Sequence, residues 1–66
     1  MKEKLIKLYE RTLNNCKFYL AEGKTELLIS EIGCLRGIAY CLEECGIDIY
    51  DLPDFIYFID IANKYR

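Results

Sequence analysis

Histidine and tryptophan are absent from this chain of 66 residues, and proline occurs only once. Histidine is the side chain that most often acts as a general base near neutral pH, and it is the commonest metal ligand. A nucleophilic thiol would also need a nearby base of this kind. We therefore predict that the protein is not an enzyme and that it carries no metal and no other cofactor.

Long apolar runs are also lacking. The longest runs have five residues, Phe55 to Ile59 among them, and are far shorter than the roughly 18–20 residues that a membrane-spanning helix needs. From Met1 to Leu8, lysines interrupt the apolar residues, so the continuous apolar core of a secretory signal is missing. We therefore expect a soluble, cytoplasmic protein that does not associate with a membrane.

The chain has four cysteines: Cys16, Cys34, Cys41 and Cys45. In a secreted protein they would suggest disulfides, but a cytoplasm keeps thiols reduced. Only Cys41 and Cys45 have a chelating spacing, and zinc sites usually take such pairs from loops rather than from a helix. We predict that all four are small side chains of the core. Metal binding and a disulfide are the alternatives.

Apolar residues make up 53% of this short chain, so disorder is not expected. A single domain over residues 1–66 is the limit for this length, and such a chain buries only about 60% of the surface that its unfolded form exposes. Small domains usually need disulfides, a structural metal or self-association to reach a useful stability. Since neither disulfides nor zinc are indicated, we expect oligomerisation to complete the fold, as a homodimer or a higher oligomer.

In three segments separated near glycines, apolar residues recur at the spacings of three and four that are typical of amphipathic helices. The predicted helices cover about 2–22, 26–45 and 52–65. Apolar positions extend around about half of the second helix, which makes it the central one. Short connections favour antiparallel neighbours. The predicted fold is all-α: an antiparallel helical hairpin with a third short helix folded across it.

Residues with strong positional preferences mark the predicted helix ends. Gly23 and Gly46 are expected to end the first two helices in the left-handed conformation. Thr25 is the expected N-cap of the second helix. Asp51 is the expected N-cap of the third, with Pro53 in the first turn, where the missing N–H costs nothing.

Gly33 and Gly37 stand four residues apart inside the second helix, where each costs about 1 kcal/mol relative to alanine. With neighbouring serine and cysteine residues they form a strip of small side chains, which lets another backbone come close. The strip permits three interpretations: close packing within the chain, a homodimer seam, or a bound ligand or foreign helix. In the last two cases, Arg36, Tyr40 and Glu44 would supply the polar contacts.

Glu31, Tyr57 and Phe58 complete the set of candidate binding residues. Glu31 falls within the apolar arc of the second helix, and a buried carboxylate must be paired, hydrogen-bonded or protonated. It either bends outward to a tyrosine or lysine, forms a salt bridge across a subunit seam, or holds a ligand amine. Six tyrosines and three phenylalanines are too many for so small a core, which predicts an interface that includes Tyr57 and Phe58.

The two parts of the chain differ in charge: residues 1–24 have a net charge of +3 and residues 25–66 of −5. Glutamates alternate with the lysines of the first helix, so the concentrated basic stripe of a nucleic-acid-binding domain is missing and no DNA binding is expected. An acidic edge is formed by Asp48, Asp51, Asp54 and Asp60. These aspartates either cap helices and keep the protein soluble, or dock on a basic surface of a partner.

The segment from Glu31 to Glu43, which follows a lysine-rich amphipathic helix and a Gly-Lys-Thr turn, resembles the helical hairpins of small uncharacterised proteins encoded by bacteriophages and prophages. The sequence Leu-Arg-Gly-Ile-Ala-Tyr at residues 35–40 carries this resemblance, which covers about half of the chain. The resemblance implies a protein that acts by binding a host component, such as a defence or regulatory factor.

The sequence thus leaves two hypotheses for function. The first is a non-enzymatic module for protein–protein interaction that is homo-oligomeric, is of phage or prophage type, and binds and modulates a host protein. The alternative is a protein that binds or sequesters a small nucleotide-type ligand at a subunit interface near Gly33 and Gly37, with Arg36 and Tyr40 as ligand contacts.

Overall fold

The computed structural model describes residues 2–65, so Met1 and Arg66 lie outside the described part. Its elements are α1 (Lys2–Ala21), α2 (Thr25–Glu44), one turn of 3-10 helix (Ile49–Asp51) and α3 (Phe55–Lys64). The predicted all-α fold is confirmed: α1 and α2 pack as an antiparallel hairpin, α3 is the third short helix, and residues 2–65 contain no strand. Within the same residues, no helix is both long and apolar enough to cross a membrane.

Both glycines that were predicted to end helices do so. Gly23 and Gly46 have φ values of 70° and 86°, in the region that only glycine adopts freely. After α1, the Lys24 N–H donates to the Tyr19 carbonyl at 2.9 Å and the Gly23 N–H to the Leu20 carbonyl at 3.2 Å, which is a Schellman motif. The same pair of bonds closes α2 at Gly46. The hairpin therefore turns tightly.

The predicted N-cap of α2 is wrong by one residue. Thr25 lies inside the helix, and Lys24 occupies the N-cap position without a side-chain hydrogen bond to the helix. The reason is the tight turn: only Glu22, Gly23 and Lys24 connect the two helices, so Lys24 alone lies between the glycine of the Schellman motif and the first residue of α2. The Lys24 carbonyl accepts the N–H of Leu28 at 2.9 Å and so begins the helical ladder.

The third helix begins at Phe55, not near Leu52, and Asp51 is not its N-cap. A residue before proline is pushed out of the α region, and Leu52 is accordingly extended, with φ −82° and ψ 146°. The next break is at Asp54, which is left-handed with φ 55° and makes no side-chain cap bond, so the helix starts only after it. Pro53 thus lies in the connection rather than in the first helical turn.

A single core lies where the three helices meet. Its fully buried side chains include Tyr9, Leu35 and Leu42, and the Tyr9 ring meets the edge of the Phe58 ring at 5.9 Å and 89°. Helix α3 thus packs across one side of the hairpin. Ile61 of α3 is also buried.

Candidate functional site

An open groove runs between α1 and α2. Its volume is about 630 Å³. We call this surface the groove face: from α1 it includes Leu5, Leu8, Arg11, Thr12 and Asn15, and from α2 Glu31, Cys34, Gly37, Ile38 and Cys41. Three residues of the hairpin that contact α3 are Tyr9, Lys17 and Arg36, and none of them lines the groove. One side of the hairpin is thus covered, and the other carries an apolar groove.

The groove face carries one charge of each sign. Arg11 is exposed on α1, and Glu31 is half-buried on α2. Among residues 2–65, Glu31 makes no ion pair and its side chain no hydrogen bond, so the predicted intrachain contact with a tyrosine or lysine is not found there. Leu5, Leu8 and Ile38 supply the apolar part of the surface. The groove face is therefore neutral as a whole.

The two helical glycines are free of contacts inside the chain. A Cβ atom added to Gly33 or Gly37 would meet nothing within 4 Å, so the interpretation that they allow close packing within the chain is wrong. Gly37 lines the groove and Gly33 does not, although both are exposed. This difference makes the two positions a matched pair for experiments.

Alanine at either glycine is expected to stabilise the isolated chain. Gly33→Ala and Gly37→Ala should each raise the free energy of unfolding by about 1 kcal/mol, because alanine restricts the unfolded chain and nothing obstructs its methyl group. Urea denaturation, followed by circular dichroism at a concentration low enough to keep the chain monomeric, measures this gain. A loss of stability at either position would show that a group of the same chain fills the space.

The cysteines divide into one buried and three exposed thiols, and all four are free. The prediction of a core position is confirmed for Cys16 and wrong for Cys34, Cys41 and Cys45. The apolar positions extend around a wider arc of α2 than the core covers. In the structure, α1 and α3 together cover only the side of α2 that carries Leu35. Burial, with smaller contributions from the nearby Glu31 and Cys34, raises the pKa of Cys16 to about 11.

The three predicted polar contacts of α2 do not join the groove. Arg36 donates a hydrogen bond to the Ala62 carbonyl, one of the last carbonyls of α3, where a cation is also favoured by the helix dipole. Tyr40 is 58% exposed, and Glu44 is exposed at the end of α2. These three side chains therefore do not line the groove beside Gly37, and nucleotide binding stays a prediction.

The two predicted interface residues of α3 differ in position. Phe58 is only 4% exposed, so it is a core residue and offers no surface to a partner. Tyr57 is half-buried, with the Lys17 ammonium 5.1 Å from its ring centroid. Sequence reasoning missed Leu8 and Arg11 as site residues. The predicted antiparallel pairing of the first two helices was the signal that could have identified them, since it places the middle of α1 beside Gly37.

No metal centre competes with the groove as a candidate site, since residues 2–65 contain no group of three or more cysteine, aspartate or glutamate side chains arranged to hold a metal ion. Comparisons of the chain with models of known protein families, with curated proteins and with solved structures found no match.

Proposed function

We propose that the protein is a non-enzymatic interaction module that forms a homodimer through the groove face and, as a dimer, binds and modulates another protein. The observation that carries the proposal is the uncovered strip of small residues Cys34, Gly37 and Cys41 along an apolar groove. Small side chains let a second helix approach closely, and its apolar groups would fill the groove.

Charge complementarity favours a second copy of the chain as the occupant. The part of the chain that contains α1 is basic and the remainder is acidic, so the α1 of one copy is attracted to the α2 of the other. A two-fold axis parallel to the helices produces this pairing, since it places each α1 opposite the partner's α2. Lys4 and Glu44, both exposed at the same end of the hairpin, then approach each other across the seam.

The matched glycines test this seam. Glutamine is a good helix former, and in the single chain both positions have room for its first atoms. Gly37→Gln is expected to weaken the dimer by about 10- to 100-fold, because an overpacked contact occurs twice in a symmetric interface. Gly33→Gln should leave the dimer unchanged. Size-exclusion chromatography with light scattering measures both, and circular dichroism confirms that each variant is helical.

A monomeric wild-type protein at micromolar concentration would contradict the proposal, as would a dimer that tolerates Gly37→Gln. A second experiment uses the exposed thiols. A bifunctional maleimide should link two copies of Cys45→Ser, which keeps Cys34 and Cys41 on the groove face. The same reagent should link far fewer copies of Cys45→Ser/Gly37→Gln, which keeps both thiols but overpacks the seam.

A further inference from the structure

A second surface lies at the start of α3, away from the groove face. We call it the α3 patch: it consists of Tyr50, Phe55 and Ile56 with the flanking Asp54 and Asp60. Ile56 is 65% exposed and Tyr50 is 64% exposed, although large apolar and aromatic side chains are usually buried to a greater extent. A shallow depression of about 510 Å³ runs beside Ile56 between the two aspartates.

The aromatic part of the α3 patch is held in place. The rings of Tyr50 and Phe55 meet edge to face with centroids 5.4 Å apart. The backbone N–H of Tyr50 donates to the Asp48 carboxylate at 3.0 Å, which fixes the 3-10 turn that carries the ring. An ordered aromatic side chain loses little conformational entropy on binding, which is why such residues often anchor interfaces.

The surroundings of the patch carry negative charge. From Gly46 to Ala62 the chain has four aspartates and neither lysine nor arginine. The Lys17 ammonium lies 2.9 Å from a carboxylate oxygen of Asp54 and offsets one of these charges. An apolar surface with an acidic rim is complementary to a segment that has apolar residues on one face and lysine or arginine beside them.

We propose that the α3 patch binds a basic amphipathic helix of a different protein. The chain's own α1 is also basic, but its apolar residues Tyr9, Leu13 and Cys16 are buried in the core, and Leu5 and Leu8 lie on the groove face that the proposed dimer covers. A second copy within that dimer therefore has no such apolar helix face to offer. The occupant is therefore a foreign segment, with an apolar side chain beside Ile56 and cationic side chains toward Asp54 and Asp60. This inference rests on the proposed function, because that function includes a partner protein. The surface that binds the partner is the α3 patch and not the groove face.

The test is fluorescence anisotropy with a labelled peptide of about 18 residues, long enough for five helical turns, made of leucine and lysine in an amphipathic pattern. We expect saturable binding that weakens as salt is added. A peptide with the same composition in scrambled order, and one with glutamate in place of lysine, should bind at least about tenfold more weakly.

Matched variants locate the contact. Ile56→Ser should weaken peptide binding about tenfold or more, because it removes the apolar anchor, and Asp60→Asn should reduce the salt dependence. Leu27→Ser, at an exposed apolar residue outside the patch, and Glu22→Gln, at an exposed acidic one, should leave binding unchanged.

Equal binding of the patterned and scrambled peptides would overturn this inference. So would binding that Gly37→Gln weakens and Ile56→Ser does not, since the peptide would then occupy the groove. Because the oligomeric state is measured separately, a monomeric protein that still binds the peptide through Ile56 contradicts only the proposed dimer. A dimer that fails to bind it contradicts only the present inference.

Discussion

Replacement of Phe58 by alanine is expected to remove about 3–5 kcal/mol from the free energy of unfolding, the usual loss for a large aromatic side chain of the core. Phe58 is 4% exposed and packs edge-on against Tyr9, which is fully buried. With Ile61, it is one of two buried residues through which α3 joins the core. A chain of this length has only about 3–10 kcal/mol of total stability, so the loss consumes most of it.

The expected result is a variant that is largely unfolded, or one in which α3 has detached from the hairpin. Urea denaturation followed by circular dichroism measures the stability, and amide hydrogen exchange of α3 distinguishes the two outcomes. Ile56→Ala in the same helix is the control, with an expected change within about 0.5 kcal/mol, because Ile56 is mostly exposed. Equal stability of the two variants would contradict the packing of α3 on Tyr9.

The fold was predictable where a local rule acts alone. Gly23 and Gly46 mark the ends of α1 and α2 because few other residues adopt a positive φ, and that property does not depend on the rest of the chain. The start of α3 was not predicted, because it depends on a residue with an unusual conformation. Pro53 keeps Leu52 extended, which would still allow a helix to begin at Pro53, but Asp54 takes the left-handed conformation and the helix begins only at Phe55.

The candidate site was less predictable than the fold, because it depends on which side of each helix is covered. The apolar arc of α2 is wide enough to include Cys34 and Cys41, so its pattern predicts that both are buried. The pattern does not indicate which side of the hairpin α3 covers, and α3 packs on the side opposite these cysteines. For the same reason Arg36, which the sequence offers as a ligand contact, instead binds the Ala62 carbonyl of α3. The position of α3 therefore decides which side of the hairpin becomes core and which side stays an open groove.

Alkaline pH is expected to unfold the protein through two buried acids. Burial raises the pKa of the Cys16 thiol from 9.0 to about 11, and burial with the nearby Asp54 raises the pKa of the Tyr9 hydroxyl from 10.0 to about 12. The unfolded chain loses these protons first, so the stability is fully present below about pH 9 and falls as the pH rises toward 12. Each group accounts for a loss of about 3 kcal/mol once it is fully titrated in both states.

The Tyr9→Phe variant isolates one of these groups and tests the packing around it. Among residues 2–65 the buried hydroxyl has no hydrogen-bond partner, and an unsatisfied buried donor costs about 1–3 kcal/mol. Tyr9→Phe should therefore be more stable than the wild type near neutral pH by about 1 kcal/mol, and it should lose less stability above about pH 10. Urea denaturation at several pH values measures both effects. Tyr40→Phe, at a mostly exposed tyrosine, should change neither. A Tyr9→Phe protein that is less stable at neutral pH would show that the hydroxyl has a partner after all, and the alkaline loss would then need a different origin.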